Sequence, residues 1–278
     1  MTKFLLQRRA LRLGLVEMPE DALVRLEKEG RVARIILNRP ERRNALSLQA
    51  LKCLRATVAE VAVDDSVWVV VLTGAGNKAF CAGADLKERK DMNDLQVKEC
   101  VRAIAAAAGD IERLPQPTIA VLNGHAFGGG LEMALSCDIR VMDEDAQIGL
   151  PETSLAIIPG AGGCVRLPRL IGVSRAKELI LLARRLGAEE ALRIGLVNFV
   201  APNSAAMETG LQVVEALLKN GPLALRAAKS AIAGGVDLPL EKALAHEFDC
   251  YSQILPTLDR QEALLAFAEK RAPEFRGE

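Results

Sequence analysis

Aromatic side chains are scarce in this chain: one Trp, one Tyr and seven Phe among 278 residues. A platform for stacking the bases of single-stranded nucleic acid has almost nothing to be built from. A surplus of either charge is also missing, because 36 Lys and Arg stand against 36 Asp and Glu. No long-range field therefore draws the chain as a whole to a polyanion or an anionic membrane surface. Histidine occurs only at His125 and His246, and Cys53, Cys81, Cys100, Cys137, Cys164 and Cys250 form no CxxC pair, which argues against a metal cluster. The scattered cysteines read as buried thiols of a reducing compartment. The uncharged run Leu114 to Leu131 carries Pro115, Pro117, Asn123 and a glycine triplet, a composition unsuited to a membrane-spanning helix. What is present is a chain half of whose residues are hydrophobic. That is too apolar for disorder and enough for one large α/β domain or two small ones. Its ligands are expected among small molecules.

Apolar and polar residues alternate over Leu23 to Lys28 and Arg31 to Leu37, on either side of Glu29-Gly30, which predicts a β-hairpin. Ser47 is placed to cap a helix running to about Ala62, with Leu48, Leu51, Leu54 and Val58 at helical spacing. The continuous β-branched run Val67 to Thr73 predicts a strand buried on both faces, and a helix is expected from about Asp94 to Leu114. Pro117 to Asn123 reads as a second buried strand, Gly128 to Gly130 opens a helix, and Asp138 to Met142 is the next strand. Strands alternating with helices predict an α/β fold with a parallel-rich sheet and crossover helices. From Ala161 onward the pattern is helical apart from a short strand near Leu196 to Val200. The resulting division is a basic segment over 1–20, an α/β core over 21–200 and a helical C-terminal region over 201–278. The first sixteen residues hold Lys3, Arg8, Arg9 and Arg12 and no acid. They read either as the remnant of an organelle transit peptide or as a frayed basic start on a cytoplasmic protein.

Two glycine-rich turns follow the two buried strands, Gly74 to Asp85 and Asn123 to Glu132. Neither has the GxGxxG spacing, and neither ends in the Gly-Lys-Ser/Thr of a nucleotide-binding loop. Glycine after a strand lets backbone N–H groups approach a ligand unobstructed, and a helix N-terminus adds a dipole that favours negative charge. Two such turns on neighbouring strands can make a two-donor oxyanion hole, or they can serve tight turns and close packing alone. Glu132 follows the glycine triplet in the first turn of an otherwise apolar helix, as a dipole partner or a functional group. Glu152 also lies in an apolar setting, between Gly149 and Gly160. Two carboxylates in such surroundings beside an anion-stabilising turn suit general acid and base work. His125 has no Ser-His-Asp arrangement around it, and Cys81 has no assignable base, so both read as structural.

Several segments resemble, in order, those of the enoyl-CoA hydratase/isomerase (crotonase) superfamily. They are Asn38 to Leu46, Phe80 to Leu86, Gly128 to Glu132 with Cys137 to Ile139, Pro151-Glu152 and Ile158 to Gly163. The likeness runs from about Leu23 to the C-terminus. Asp85 to Arg89, Arg166 to Arg169, Ala176 to Ile180 and Asp259 to Arg271 are most similar to the branch containing AU-rich-RNA-binding methylglutaconyl-CoA hydratase. The resemblance implies a ββα superhelix core with a helical C-terminal trimerisation region. It implies hydration of the 2,3 double bond of short or branched 2-enoyl-CoA thioesters, 3-methylglutaconyl-CoA among them. The backbone N–H groups of Ala84 and Gly129 would hold the thioester oxygen. Glu132 would orient and deprotonate water, and Glu152 would exchange the proton at Cα. Isomerase members work with one glutamate, so the pair favours hydration over a Δ3-Δ2-enoyl-CoA isomerase, and it counts against an RNA-binding or scaffold pseudoenzyme.

The same likeness assigns coenzyme A contacts to Ala82, Asp85, Leu86 and Lys87, and to Phe267 and Lys270 reaching a neighbouring subunit of a homotrimer or dimer of trimers. Arg42-Arg43 would meet coenzyme A phosphates or form a solvated loop. No metal or redox cofactor is implied, coenzyme A being part of the substrate. Strong RNA binding is not expected, because the helix after Asn44-Ala-Leu46 offers only Lys52 and Arg55 alongside Glu60. Cys164-Val165 stands where relatives commonly carry Thr-Gln. A cytoplasmic location is expected, or the mitochondrial matrix if the basic start is a transit remnant.

Overall fold

In the computed structural model, which describes residues 22–202 and 204–278, β1 (Val24–Glu29) and β2 (Val32–Leu37) pair antiparallel as the expected hairpin. Gly30 supplies its positive φ. The basic segment over 1–20 lies outside the described residues. The chain then crosses through α1 (Leu48–Ala62), whose N-cap Ser47 accepts a hydrogen bond from the Ala50 N–H, to β3 (Val69–Gly74), parallel to β2 and buried at every residue. The next two crossovers repeat one scheme. After β3 come the short strand β4 (Ala79–Cys81) and helices α2 (Leu86–Arg89) and α3 (Asp94–Glu112). After β5 (Thr118–Leu122) come the short strand β6 (His125–Phe127) and α4 (Gly129–Leu135). β7 (Ile139–Asp143) and the short β8 (Gln147–Gly149) lead through a 3-10 turn at Pro151–Leu155 to α5 (Gly163–Ile171) and α6 (Val173–Leu181). The chain closes with β9 (Arg185–Gly187), α7 (Ala188–Arg193), β10 (Phe199–Ala201), and helices α8 (Ala206–Leu218), α9 (Pro222–Gly235), α10 (Leu240–Ile254) and α11 (Leu258–Glu269).

Each ββα repeat thus adds one strand to each of two sheets. The larger is ordered β1-β2-β3-β5-β7-β10 and the smaller β4-β6-β8-β9. The ββα core agrees with the expected fold class, while the individual strands of the smaller sheet, β9 included, are not read from the apolar pattern. Each is three residues long, too short to show any hydrophobic period. Alternation in the large sheet sends Val70, Leu72, Ala120 and Leu122 into a core shared with α1 and α3. Val69, Val71, Ile119 and Val121 face the other way, towards Ala206 and Val214 of α8. A Cβ at Gly210 would come within 2.6 Å of Val121, so glycine there sets how closely α8 approaches the sheet. The last residues fold back. The Asp259 carboxylate accepts from the N–H groups of Arg276 and Gly277 at 2.6 and 2.9 Å, and Phe275 joins the cluster around Trp68.

Four cysteines are buried as expected, but Cys53 is half-buried and Cys164 is exposed. α5 packs through Gly163 and Leu167, which turns Cys164 outward. Burial pushes the Cys81 and Cys137 thiols up to about 12, so neither supplies a thiolate near neutral pH. Among the described residues no helix is long and apolar enough to cross a membrane.

Candidate active site

β3 and β5 run side by side in parallel register, Thr73 opposite Val121, so their glycine-rich turns emerge at the same edge. Side-chain amides fix the first turn. Asn44, 1% exposed, donates to the carbonyls of Ala75 and Ala79 at 3.0 and 2.8 Å, and Asn123 donates to those of Gly74 and Gly76 at 2.8 and 2.6 Å. Ala84 forms an isolated parallel bridge with Leu46, in which the Leu46 N–H donates to the Gly83 carbonyl and the Asp85 N–H to the Leu46 carbonyl. The N–H of Ala84 itself is therefore turned away from Leu46 and enters no backbone hydrogen bond among the described residues. Gly129 is the first residue of α4, where an N–H has no intrahelical acceptor. The two turns touch: a Cβ on Gly83 would lie 2.7 Å from the Phe127 carbonyl oxygen and 3.3 Å from the Gly129 nitrogen. The turns that carry these two N–H groups thus lie against each other.

They meet on a cleft of about 720 Å³ whose walls are Val97, Val101 and Ile104 of α3, Phe127, Leu155, Ile157 and Ile158. Glu132 and Glu152 both line it. Glu132 is 2% exposed, and its Oε1 accepts from the N–H groups of Ala161 and Gly163 at 2.7 and 2.8 Å. Those two bonds orient the carboxylate and leave Oε2 without a partner among the described residues. Burial raises the Glu132 pKa, opposed by the two backbone donors and by the charge of Arg166. Glu152 is pushed up to about 7 by burial; its own backbone N–H opposes this, and the Glu132 charge adds to it. Its Oε2 is buried and has no hydrogen-bond partner among the described residues. Gly128 holds φ 51° and ψ −125°, a conformation only glycine adopts readily. A Cβ there would lie 2.8 Å from Oε1 of Glu152, so this glycine admits the carboxyl to the turn.

The other expected contacts divide. Ala82, Ala84 and Leu86 line the cleft, whereas Asp85, Lys87, Phe267 and Lys270 do not. Asp85 caps α2 through the N–H groups of Lys87 and Glu88 and pairs with Arg39 at 3.0 Å. Burial opposes ionisation of its carboxyl, but Arg39 and the cap donors prevail and hold it below the usual range. Both its oxygens are thus occupied within the fold. Lys87, Arg42 and Arg43 are exposed, as are Phe267 and Lys270 on and just beyond α11. His125 accepts from the Gln147 N–H through Nδ1 at 3.0 Å, in keeping with a structural role. Two arginines that composition and spacing did not single out also line the cleft: Arg89, at the end of α2, and Arg185, whose guanidinium lies 4.8 Å from the Phe127 ring centroid. Behind the site, Arg166 forks onto Glu112 at 2.9 and 2.6 Å and donates to the Ala161 carbonyl, bracing the segment whose N–H groups orient Glu132.

Residues 27–278 match the family described as enoyl-CoA hydratase/isomerase. A crystal structure of enoyl-CoA hydratase from Bacillus anthracis superimposes with a TM-score of 0.91 at 48% identity, covering 92% of this chain and 100% of that one. Human mitochondrial methylglutaconyl-CoA hydratase is 46% identical over 258 residues, 91% of this chain and 76% of that protein. The short-chain-enoyl-CoA hydratase of Clostridium acetobutylicum is 43% identical over 249 residues, 90% of this chain and 95% of that one. Likeness of this extent, on a fold that brings two glycine turns beside a buried and a half-buried glutamate, means that the chain belongs to the enoyl-CoA hydratase/isomerase (crotonase) family.

Proposed function

We propose that the protein hydrates short or branched 2-enoyl-CoA thioesters, 3-methylglutaconyl-CoA among the candidates. The observation that carries this reading is the pair of carboxyl groups held in unlike settings within one cleft. Glu132 is a fixed acceptor with two N–H donors on one oxygen, and Glu152 is a half-buried carboxyl at about 7 whose buried Oε2 has no partner among the described residues. A group near 7 both holds and releases a proton at neutral pH, as proton exchange at Cα requires. In the proposed reaction, Glu132 takes a proton from water as the oxygen bonds to Cβ. The π electrons move to the thioester oxygen as an enolate, held by the N–H groups of Ala84 and Gly129. Collapse of the enolate forms the Cα–H bond with the proton of Glu152, and exchange with solvent resets both carboxyls. Each N–H donor aimed at the developing oxyanion is worth about 3 kcal/mol in the transition state. Polarisation comes from the backbone, so this chemistry calls for no metal or redox cofactor.

The exposed apolar residues Phe248 and Tyr251 of α10 and Leu264 and Phe267 of α11 support self-association as a trimer or dimer of trimers. In such an assembly Phe267 and Lys270 would serve a neighbouring subunit's coenzyme A. The test is hydration of crotonyl-CoA with product analysis for incorporated solvent oxygen. Glu132→Gln and Glu152→Gln are expected to slow it by about 10² to 10⁴ with thioester binding largely retained. Parent-like rates in both variants sink the assignment, and a product free of solvent oxygen makes the enzyme an isomerase.

A further inference from the structure

Four ionisable side chains line the catalytic cleft: Glu132, Glu152, Arg89 and Arg185. The glutamates have their roles above, whereas the arginines face an otherwise apolar wall. The cationic groove formed by α3, α5 and α9 sets a contrast. There Arg166 pairs with Glu112, Arg169 with Asp237 and Lys229 with Asp138, so its positive charge is consumed within the fold. Arg89 is half-buried, and its side chain enters no ion pair or hydrogen bond among the described residues. Two acids at the start and within its own helix are engaged elsewhere, and Asp91, two residues on, is exposed. Asp85 is held by Arg39 and by the N–H groups that it caps, and Glu88 accepts from the Leu48 N–H at 3.1 Å. A half-buried guanidinium with no anion beside it is costly, and a carboxylate accepting its planar fork of donors offsets that cost.

We infer that Arg89 is the receptor for a carboxylate at the far end of the acyl group, so that the preferred substrates are enoyl-CoA thioesters with a second acid. This rests on the hydratase reading and deepens it. Position separates Arg89 from Arg185. Arg89 leads into α3, whose Val97, Val101 and Ile104 form an apolar wall of the cleft, suited to an acyl chain. It is close enough to α3 for its charge to act on the Cys100 thiol, which burial pushes up and Arg89 draws down. Arg185 is exposed and stacks on Phe127, a place open to the phosphates of coenzyme A, which stay hydrated. Without an anionic substrate, an apolar residue at position 89 would complete the wall.

The test uses a matched pair, crotonyl-CoA and glutaconyl-CoA, which differ by one carboxylate on the terminal carbon. The parent enzyme is expected to favour glutaconyl-CoA in kcat/KM. Arg89→Leu is expected to lower the glutaconyl-to-crotonyl ratio about 100-fold, mainly through KM, and Arg89→Lys to restore part of it. Three results overturn the inference while leaving hydration intact: a parent enzyme that hydrates crotonyl-CoA with no preference for the diacid, an unchanged ratio in Arg89→Leu, or a ratio that collapses in Arg185→Leu instead. If Arg89→Leu weakens inhibition by free coenzyme A as strongly as it weakens glutaconyl-CoA, the arginine reads a phosphate and the inference fails. A parent enzyme that hydrates neither thioester fails at the level of the proposed function itself.

Discussion

Glu152 is where environment changes a residue's chemistry most, and its position near neutrality sets two expectations of opposite sense. As pH rises through about 7, the acid form that the proposed reaction uses at Cα is lost, so kcat/KM for hydration should decline above that point, with the descending limb absent or displaced in Glu152→Gln. Stability runs by linkage. A carboxyl raised in the folded state binds its proton more tightly there than in the unfolded chain, so stability falls as pH climbs from its unfolded value of about 4.3 to about 7. Glu152→Gln removes that loss and should raise Tm at pH 8 relative to the parent, with little gain at pH 4. A parent-like Tm difference at both pH values would mean that the folded protein does not hold this carboxyl raised. Both glutamates were legible in the sequence because acids in apolar company stand out. The unlike states of the two were not, since these arise from Ala161 and Gly163, N–H groups about thirty residues from Glu132 that carry no side-chain signal.

At the scale of elements, the site depends on where short segments meet. The hairpin, the long crossover helices and the buried strands were readable because each spans enough residues to show its period. β4, β6, β8 and β9 were hidden, each three residues long. They place the two glycine turns side by side. β6 pairs with both β4 and β8, which sets Gly128 between the loop of Ala84 and the turn of Glu152. Gly128→Ala should therefore be severe. Its φ and ψ cost about 1–3 kcal/mol for a residue with a Cβ, and the methyl would stand 2.8 Å from the Glu152 carboxyl. Loss of at least about 10² in kcat is expected, with far-UV circular dichroism unchanged. Full activity in this variant would refute the close approach of the turn and Glu152.

For the molecule as a whole, the even charge of the sequence persists on the surface where a polyanion would have to bind. On α1, Arg55 is engaged by Asp110 at 2.5 Å, and Glu60 holds Lys28 at 2.9 Å, which leaves Lys52 exposed. One free cation releases few counterions, so RNA binding in a gel-shift at physiological salt is expected to be weaker than micromolar, and submicromolar affinity would contradict it. The scarcity of aromatics has a different sequel. The lone tryptophan, Trp68, lies between the guanidinium of Arg31, 4.6 Å above its ring, and the end of the chain, where a Cβ on Gly277 would be 3.6 Å from the indole nitrogen. Tryptophan emission in this protein, excited beyond the absorption of Tyr251, is consequently a single-site gauge of whether the last few residues are docked, and a fusion or trim at the C-terminus would alter it while the candidate cleft, on the far face of the sheet, stayed silent.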